Sequence, residues 1–370
     1  MTISRDFLAT VATPSLVIDL EIAQRNISRA ADYFSHRKVR LRPHFKAHKI
    51  STLMRMQIDA GSCSGVTCAT AYEAEILASA GFDDILVANQ VVDPAGLAAL
   101  ARAASMKRVS VAVDCQEHVV LLQSTAELHA VQFGILIEID IGMGRCGLNF
   151  NSDELIPLVS AIHVAPRLEF LGLQGYEGHV VTREDRGTRR TMVWQCQEAL
   201  RYERERLQKH GYPCAIISGG GTGTFDLAAE EGVLTEVQAG SYVLMDKIYA
   251  NIDTPFENAL FCCATLISRR QINAGVLNVG LKSLTAEYGM PLAADGYFSV
   301  ISLSDEHARI TPKAGWSAEV GDNTLLIPTH VDPVMNLHDV VVVYGSHGLV
   351  DHWLVDGRQR PGSRVMARSL

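Results

Sequence analysis

Paired-cysteine motifs are missing from this sequence. Its eight cysteines stand at 63, 68, 115, 146, 196, 214, 262 and 263 with no C-x-x-C spacing, so neither a zinc knot nor a disulfide scaffold is implied. Reduced, buried thiols in a cytoplasmic protein are the expectation. Long apolar runs are missing as well. No stretch approaches the roughly 18 apolar residues of a membrane span, and the opening MTISRDFLATVATPS carries no apolar signal core. Positive charge is in short supply: 33 Lys and Arg face 41 Asp and Glu, a net charge of -8. Phosphate backbones and anionic membranes are held by an excess of Lys and Arg, so neither nucleic acid nor a membrane is expected as a partner. Internal repeats and low-complexity segments are absent too. What remains is 370 residues, 48% hydrophobic, enough for a large core in two domains and a small-molecule ligand.

From residue 21 to about 249 the pattern alternates apolar strands with amphipathic helices, joined by short links. The strand candidates are VRLRP from 39, SGVTCA from 64, DILVAN from 84, RVSVAVD from 108, GILIEIDI from 134, LEFLGLQGY from 168, CAIISGG from 214 and LTEVQAG from 234. Strands alternating with helices require a parallel sheet, and this number of them predicts an α/β fold of the (β/α)8 barrel type. Residues 250–370 change rhythm. FENALFCCATLISRR, YFSVISLSDEHARITP and DVVVVYGSHGLVDHWLVDG are β-rich with turn residues between them. With residues 1–20, which include the strand SLVIDL, they predict a second, mostly antiparallel β-domain.

Chemistry in a barrel gathers where the strands end. RPHFKAHK, residues 42–49, follows the first barrel strand and places Lys46 among close cations, which with partial burial disfavour an ammonium and leave a nucleophilic amine able to form a Schiff base. A solvated basic turn is the alternative. The seventh strand ends in SGGGTGT, Ser218 to Thr224, whose glycines and hydroxyls suit an anion. QAGSY after the eighth strand adds Gly240 and Ser241. The fifth ends in GMGRCG with Arg145, and the sixth in GYEGH with Tyr176, Glu177 and His179. In the tail, His330 and Asp332 stand two apart in PTHVDPVMNLHD; on an extended strand both leave one face and can grip a cation. Two protein ligands are too few for a closed structural site, so a bound ion would keep positions for water or substrate. A solvated H-x-D pair is the alternative.

TPSLVIDL, LRPHFKAHK, GMGRCG, SGGGTGT, TEVQAGSYVLMD, GLKSLTAEYG, DEHA and PTHVDPVMNLHD together resemble the fold-type III pyridoxal-phosphate enzymes of the D-threonine aldolase and D-serine dehydratase group, in register from about Thr13 to Asp351. The resemblance implies an alanine-racemase-like barrel with a β-domain that carries a metal site, and a homodimer. It implies pyridoxal 5′-phosphate on Lys46, with Arg145 at the pyridine nitrogen, Tyr176 and Gln238 beside the cofactor, and Gly220, Gly221, Thr222, Gly240 and Ser241 around the phosphate. Lys46, Tyr176 and His179 are then the catalytic candidates, and His330 and Asp332 hold a divalent cation. The implied reaction is retro-aldol cleavage of a β-hydroxy-D-amino acid to glycine and an aldehyde. The alternatives are a D-serine or 3-hydroxy-D-aspartate dehydratase, a 3-hydroxy-D-aspartate aldolase and, outside enzymes, a pyridoxal-phosphate carrier. Carriers of that kind lack the β-domain. Dehydratases of the group commonly offer H-x-C to zinc, whereas a carboxylate at 332 suits Mn²⁺ or Mg²⁺, which favours the aldolase. Two departures stand out: Tyr-Glu-Gly replaces the Tyr-His-Gly common among the aldolases, displacing the histidine to 179, and Ala69 occupies a position near which some members carry Gln.

Overall fold

The computed structural model describes residues 3–271 and 273–358 and divides them into two compact units: residues 30–46 with 53–240, and residues 3–29 with 47–52 and 241–358.

The first unit is built on eight parallel strands: Arg40–Leu41, Val66–Cys68, Ile85–Val87, Val109–Val113, Phe133–Asp140, Leu168–Gly175, Ile216–Gly219 and Glu236–Val237. Each pairs in parallel with the next from the second onward, and the eighth pairs with the first, Glu236 opposite Arg40. Two parallel bridges, Leu41 to Cys63 and His44 to Thr67, join the first strand region to the second and close the ring. Strand burial explains the near-continuous apolar runs: all five residues of Val109–Val113 are buried, as a sheet covered on both faces demands. Helix starts follow local caps. Thr70 accepts the Glu73 N–H ahead of Ala71–Ser79, and Asp93 accepts the Gly96 N–H ahead of Pro94–Met106. The long helix Arg186–Lys209 begins where it does because Asp185 accepts the Thr188 N–H and sets the first turn.

Arg42 revises one sequence expectation. It is 2% exposed, with its guanidinium 2.7 Å from Glu236 and 3.2 Å from Asp84. It also donates to the Asp84 carbonyl at 2.8 Å. The arginine of RPHFKAHK therefore neutralises carboxylates at the seam of the ring instead of crowding Lys46 with charge. His48 is fully buried and its Nδ1 accepts the Ile50 N–H at 3.1 Å, so that nitrogen carries no proton.

The second unit contains a closed six-stranded antiparallel ring. It runs from Leu260–Gln271 through Ala274–Leu277, Ala308–Pro312, Phe298–Leu303, Leu292–Ala293 and Asn323–Ile327 back to Leu260–Gln271. Ser15–Asp19 extends it, antiparallel to Leu260–Gln271 and parallel to Val340–Gly345, which carries Gly348–Leu354 at the edge. Ile3, Phe7, Leu8, Val17, Phe261, Cys263, Leu325 and Tyr344 pack into one of its apolar clusters. Among the described residues no helix is long and apolar enough to cross a membrane.

Candidate active site

Because the ring is closed and every strand is parallel, the segments that follow the strands emerge on one face. Lys46 lies in the single turn Phe45–Ala47 after the first strand, at intermediate exposure. The turn is held from behind, where the His44 N–H donates to the Ala239 carbonyl at 3.0 Å.

Arg145 sits on a pinned loop. The carboxylate of Asp140, last residue of the fifth strand, accepts the Gly142 and Gly144 N–H groups at 2.9 and 3.0 Å, and Asp114 accepts the Gly147 N–H at 2.8 Å. Gly142, Gly144 and Gly147 all have positive φ, which a side chain would strain. The loop is exposed, but its backbone is held in place. The Arg145 guanidinium stands 5.6 Å from the centre of the Tyr176 ring, so residues from the fifth and sixth strand ends meet. Gly221, from the seventh, is close to the same ring: a Cβ added there would lie 3.5 Å from Tyr176 Cε2. His179 packs its ring against Gly142. Burial lowers its pKa, and Arg183 lowers it further, so the imidazole is neutral near pH 7.

The glycine loop corrects a second expectation. The Gly220 N–H donates to Glu177 Oε2 at 3.1 Å and the Gly221 N–H to Thr224 Oγ1 at 3.2 Å. These two amides shape the loop. Glycine is needed at 220 for its φ of +79°.

Gln238, expected beside the cofactor, belongs to a polar layer whose members Gln174, Gln90 and Glu138 the sequence reading missed. Gln238 donates to Gln174 at 3.1 Å and Ser218 at 2.8 Å. Gln90 donates to Glu138 at 2.7 Å and Asp114 at 3.1 Å. Burial raises the Glu138 pKa against the hydrogen bond from Gln90 and the charge of Arg145. The available signal was a glutamate inside the apolar run GILIEIDI. Asp114, Cys115 and His118 also converge, their ligand atoms all within 4.8 Å of one another; Asp114 is at the same time engaged by Gly147 and Gln90.

In the second unit, His330 and Asp332 are not on a strand. His330 is the extended residue before the helix Val331–Met335, and Asp332 lies in its first turn. A helical turn brings them together by another route, with His330 Nε2 3.4 Å from Asp332 Oδ2. His330 Nδ1 lies 3.3 Å from Glu287. Asp246, 1% exposed, fixes the turn by accepting the Val331 N–H at 2.8 Å. Burial pushes the Asp246 carboxyl up to about 7. Burial lowers the His330 pKa, but Asp332, Asp246 and Glu287 outweigh it and the net shift is upward. Glu287 and Asp332 stand at opposite nitrogens of the His330 ring, so Nε2 and the Asp332 carboxylate are the pair that could share one ion, and imidazole with carboxylate suits a borderline or hard divalent ion. The donors fit the implied metal.

Residues 18–247 match the family described as alanine racemase, N-terminal domain, and residues 259–344 match the putative serine dehydratase domain. A D-threonine aldolase from an Arthrobacter species is 37% identical over 95% of this chain and 94% of its own. A 3-hydroxy-D-aspartate aldolase from Paracoccus denitrificans is 33% identical over 94% of this chain and 92% of its own. The crystal structure of a D-threonine aldolase from Filomicrobium marinum superposes with a TM-score of 0.92 at 32% identity, covering 95% of this chain and 97% of that one.

Proposed function

The chain belongs to the family of the alanine racemase N-terminal domain, and on that premise we propose that it is a pyridoxal 5′-phosphate-dependent lyase of the D-threonine aldolase type. Its reaction is the cleavage of a β-hydroxy-D-amino acid to glycine and an aldehyde. The observation that carries this reading is the single face of one parallel ring on which the Lys46 turn, the pinned Arg145 loop, Tyr176 and the glycine loop emerge.

When bound, the cofactor supplies an electron sink for the pair left on Cα as the Cα–Cβ bond breaks. Lys46 provides the amine that anchors its aldehyde. Arg145 keeps its proton under all working conditions, so it would serve the pyridine nitrogen as a hydrogen-bond donor that does not transfer a proton. Thr222 and the Gly240–Ser241 turn receive the phosphate, and Gln238 is held by Gln174 and Ser218 beside the ring. His179, neutral near pH 7, takes the proton of the β-hydroxyl. His330 and Asp332 would hold the divalent ion, Mn²⁺ or Mg²⁺, whose contribution is to lower the pKa of an oxygen it binds. We read the protein as a cytoplasmic homodimer, in keeping with eight cysteines that are all free thiols.

The test is incubation with pyridoxal phosphate, Mn²⁺ and each threonine enantiomer, assaying acetaldehyde against 2-oxobutanoate. Acetaldehyde and glycine from D-threonine alone support the reading; 2-oxobutanoate would make the enzyme a dehydratase, and no product from either enantiomer would refute both. Running D-serine and 3-hydroxy-D-aspartate alongside fixes the β-substituent.

A further inference from the structure

Glu177 is used by none of the chemistry above, yet it is among the most enclosed carboxyls in the barrel, 3% exposed. It reaches both ends of the glycine turn. Oε2 accepts the Gly220 N–H at 3.1 Å, and Oε1 lies 2.7 Å from the Thr224 hydroxyl oxygen, which itself accepts the Gly221 N–H at 3.2 Å. One side chain thereby fixes residues 220, 221 and 224, the segment from which Thr222 projects. Beside it on the helix Arg186–Lys209 stands the Cys196 thiol, which burial pushes up to about 12. Burial raises the carboxyl of Glu177, and only the neutral donors Thr224 and Gly220 and its own backbone draw it back. Among the described residues no cation acts on it.

We infer that Glu177 is a positioning residue for the phosphate-binding loop, and that it works as an uncharged carboxylic acid. The inference rests on the cofactor reading above. A carboxylate taken out of water without a countercharge is costly, and here it would also stand in the wall of a site that must accept a phosphate dianion. The neutral acid removes both penalties without losing a contact. Its proton, on Oε1, is donated to Thr224 Oγ1, while Oε2 continues to accept from Gly220. Glutamine reproduces that pattern, its NH₂ facing Thr224 and its carbonyl facing Gly220; it cannot reproduce a carboxylate that accepts from both.

Binding of two probes to the apoprotein separates the possibilities: pyridoxal 5′-phosphate, and pyridoxal, which has the same ring and aldehyde but no phosphate. Glu177→Gln is expected to keep wild-type affinity for pyridoxal phosphate at neutral pH. At alkaline pH it should bind more tightly than wild type, because a carboxyl with a raised pKa acquires its charge as pH rises and then repels the phosphate, whereas the amide does not. Glu177→Ala should weaken pyridoxal phosphate by about tenfold, the order expected for losing a buried hydrogen-bonded group, and leave pyridoxal unchanged. A Gln variant as weak as the Ala variant would show that the charge is required and overturn the inference. So would a parallel loss of both probes, which marks general damage to the barrel. If the Ala variant does not fold, the comparison of Gln with wild type across pH decides alone. Wild-type protein that binds no pyridoxal phosphate refutes the cofactor reading itself, whereas wild type that binds it while the Ala variant binds equally well refutes only the role of Glu177.

Discussion

The barrel unit and the β-rich unit assemble their chemistry in opposite ways. In the barrel, the groups at the mouth come from far apart in the chain: Arg145, Tyr176 and Gly221 come from three different strand ends and lie close together, and the Lys46 turn follows a fourth strand of the same ring. In the β-rich unit, His330 and Asp332 are two residues apart on one helical turn, and Asp246 holds that turn by the amide between them. The charges differ as well. The barrel mouth offers lysine, arginine, hydroxyls and amides, suited to an anion, and its buried acids are pushed toward neutrality. The other cluster sets a carboxylate at each nitrogen of an imidazole, Glu287 on one side and Asp332 on the other, and suits a cation. A ring of strands can pool distant residues of any type, whereas a short local motif can pool only what one turn reaches, which is enough for a metal and too little for a cofactor.

The largest effect should follow from removing the amine. Lys46→Ala is expected to abolish turnover and the visible absorbance of the bound aldehyde, since no neighbouring lysine substitutes for it. Lys49 lies three residues on, but it is 9% exposed and has a φ of 56°. A borohydride-reduced peptide labelled at Lys49 would break the assignment. Next comes the cation. EDTA, or Asp332→Ala, should lower turnover by about 10² to 10³, as loss of one transition-state donor does elsewhere, with the cofactor spectrum intact. Full activity of Asp332→Ala in EDTA would reduce the pair to a solvated turn.

Closure of the ring can be weakened without touching either site. Glu236→Gln leaves Arg42 with a buried and poorly compensated charge, because Asp84 is the more exposed partner at 28%. Breaking a buried pair in this way costs about 3 to 5 kcal/mol, so urea unfolding should shift to lower concentration while the turnover of the folded fraction stays near wild type. A variant as stable as wild type would show that the seam is held by its backbone bridges alone.

The fold was legible because its period is plain in the letters: eight apolar runs separated by helices allow little besides a parallel barrel, and the tail changes rhythm where the strands become antiparallel. The site was legible as motifs but less so as environments. RPHFKAHK reads as crowded positive charge, yet Arg42 faces inward to Glu236, a partner almost two hundred residues away that no local pattern reveals. SGGGTGT reads as three open amides, yet Glu177 and Thr224 occupy two of them. The H-x-D spacing suggested a strand, and a helical turn brought the two side chains together instead. In each case the residue types pointed to the right neighbourhood, and the long-range or capping contacts decided what each atom was doing there.

The smallest effect is the most specific. Asp332→Cys keeps a two-ligand set but replaces a hard oxygen with a soft thiolate, and the Irving–Williams preference for zinc over manganese widens when sulfur replaces oxygen. The variant should stay folded, since Asp332 is a partly exposed first-turn residue and the turn itself is held by Asp246 through the Val331 N–H. Its activity with Mn²⁺ should fall and that with Zn²⁺ should rise, so that the ratio moves by about tenfold or more, the size of a 1.4 kcal/mol difference. Cofactor affinity should not move, because Lys46, Arg145 and the glycine loop belong to the other unit and Ser241, the one cofactor residue expected in this unit, is far from residue 332 in the chain. Measuring both quantities on one preparation makes the contrast between the two regions quantitative. A change of metal preference without a change in pyridoxal phosphate binding is what separate anion-holding and cation-holding sites require; a loss of both would mean that the turn carrying residue 332 also supports the cofactor.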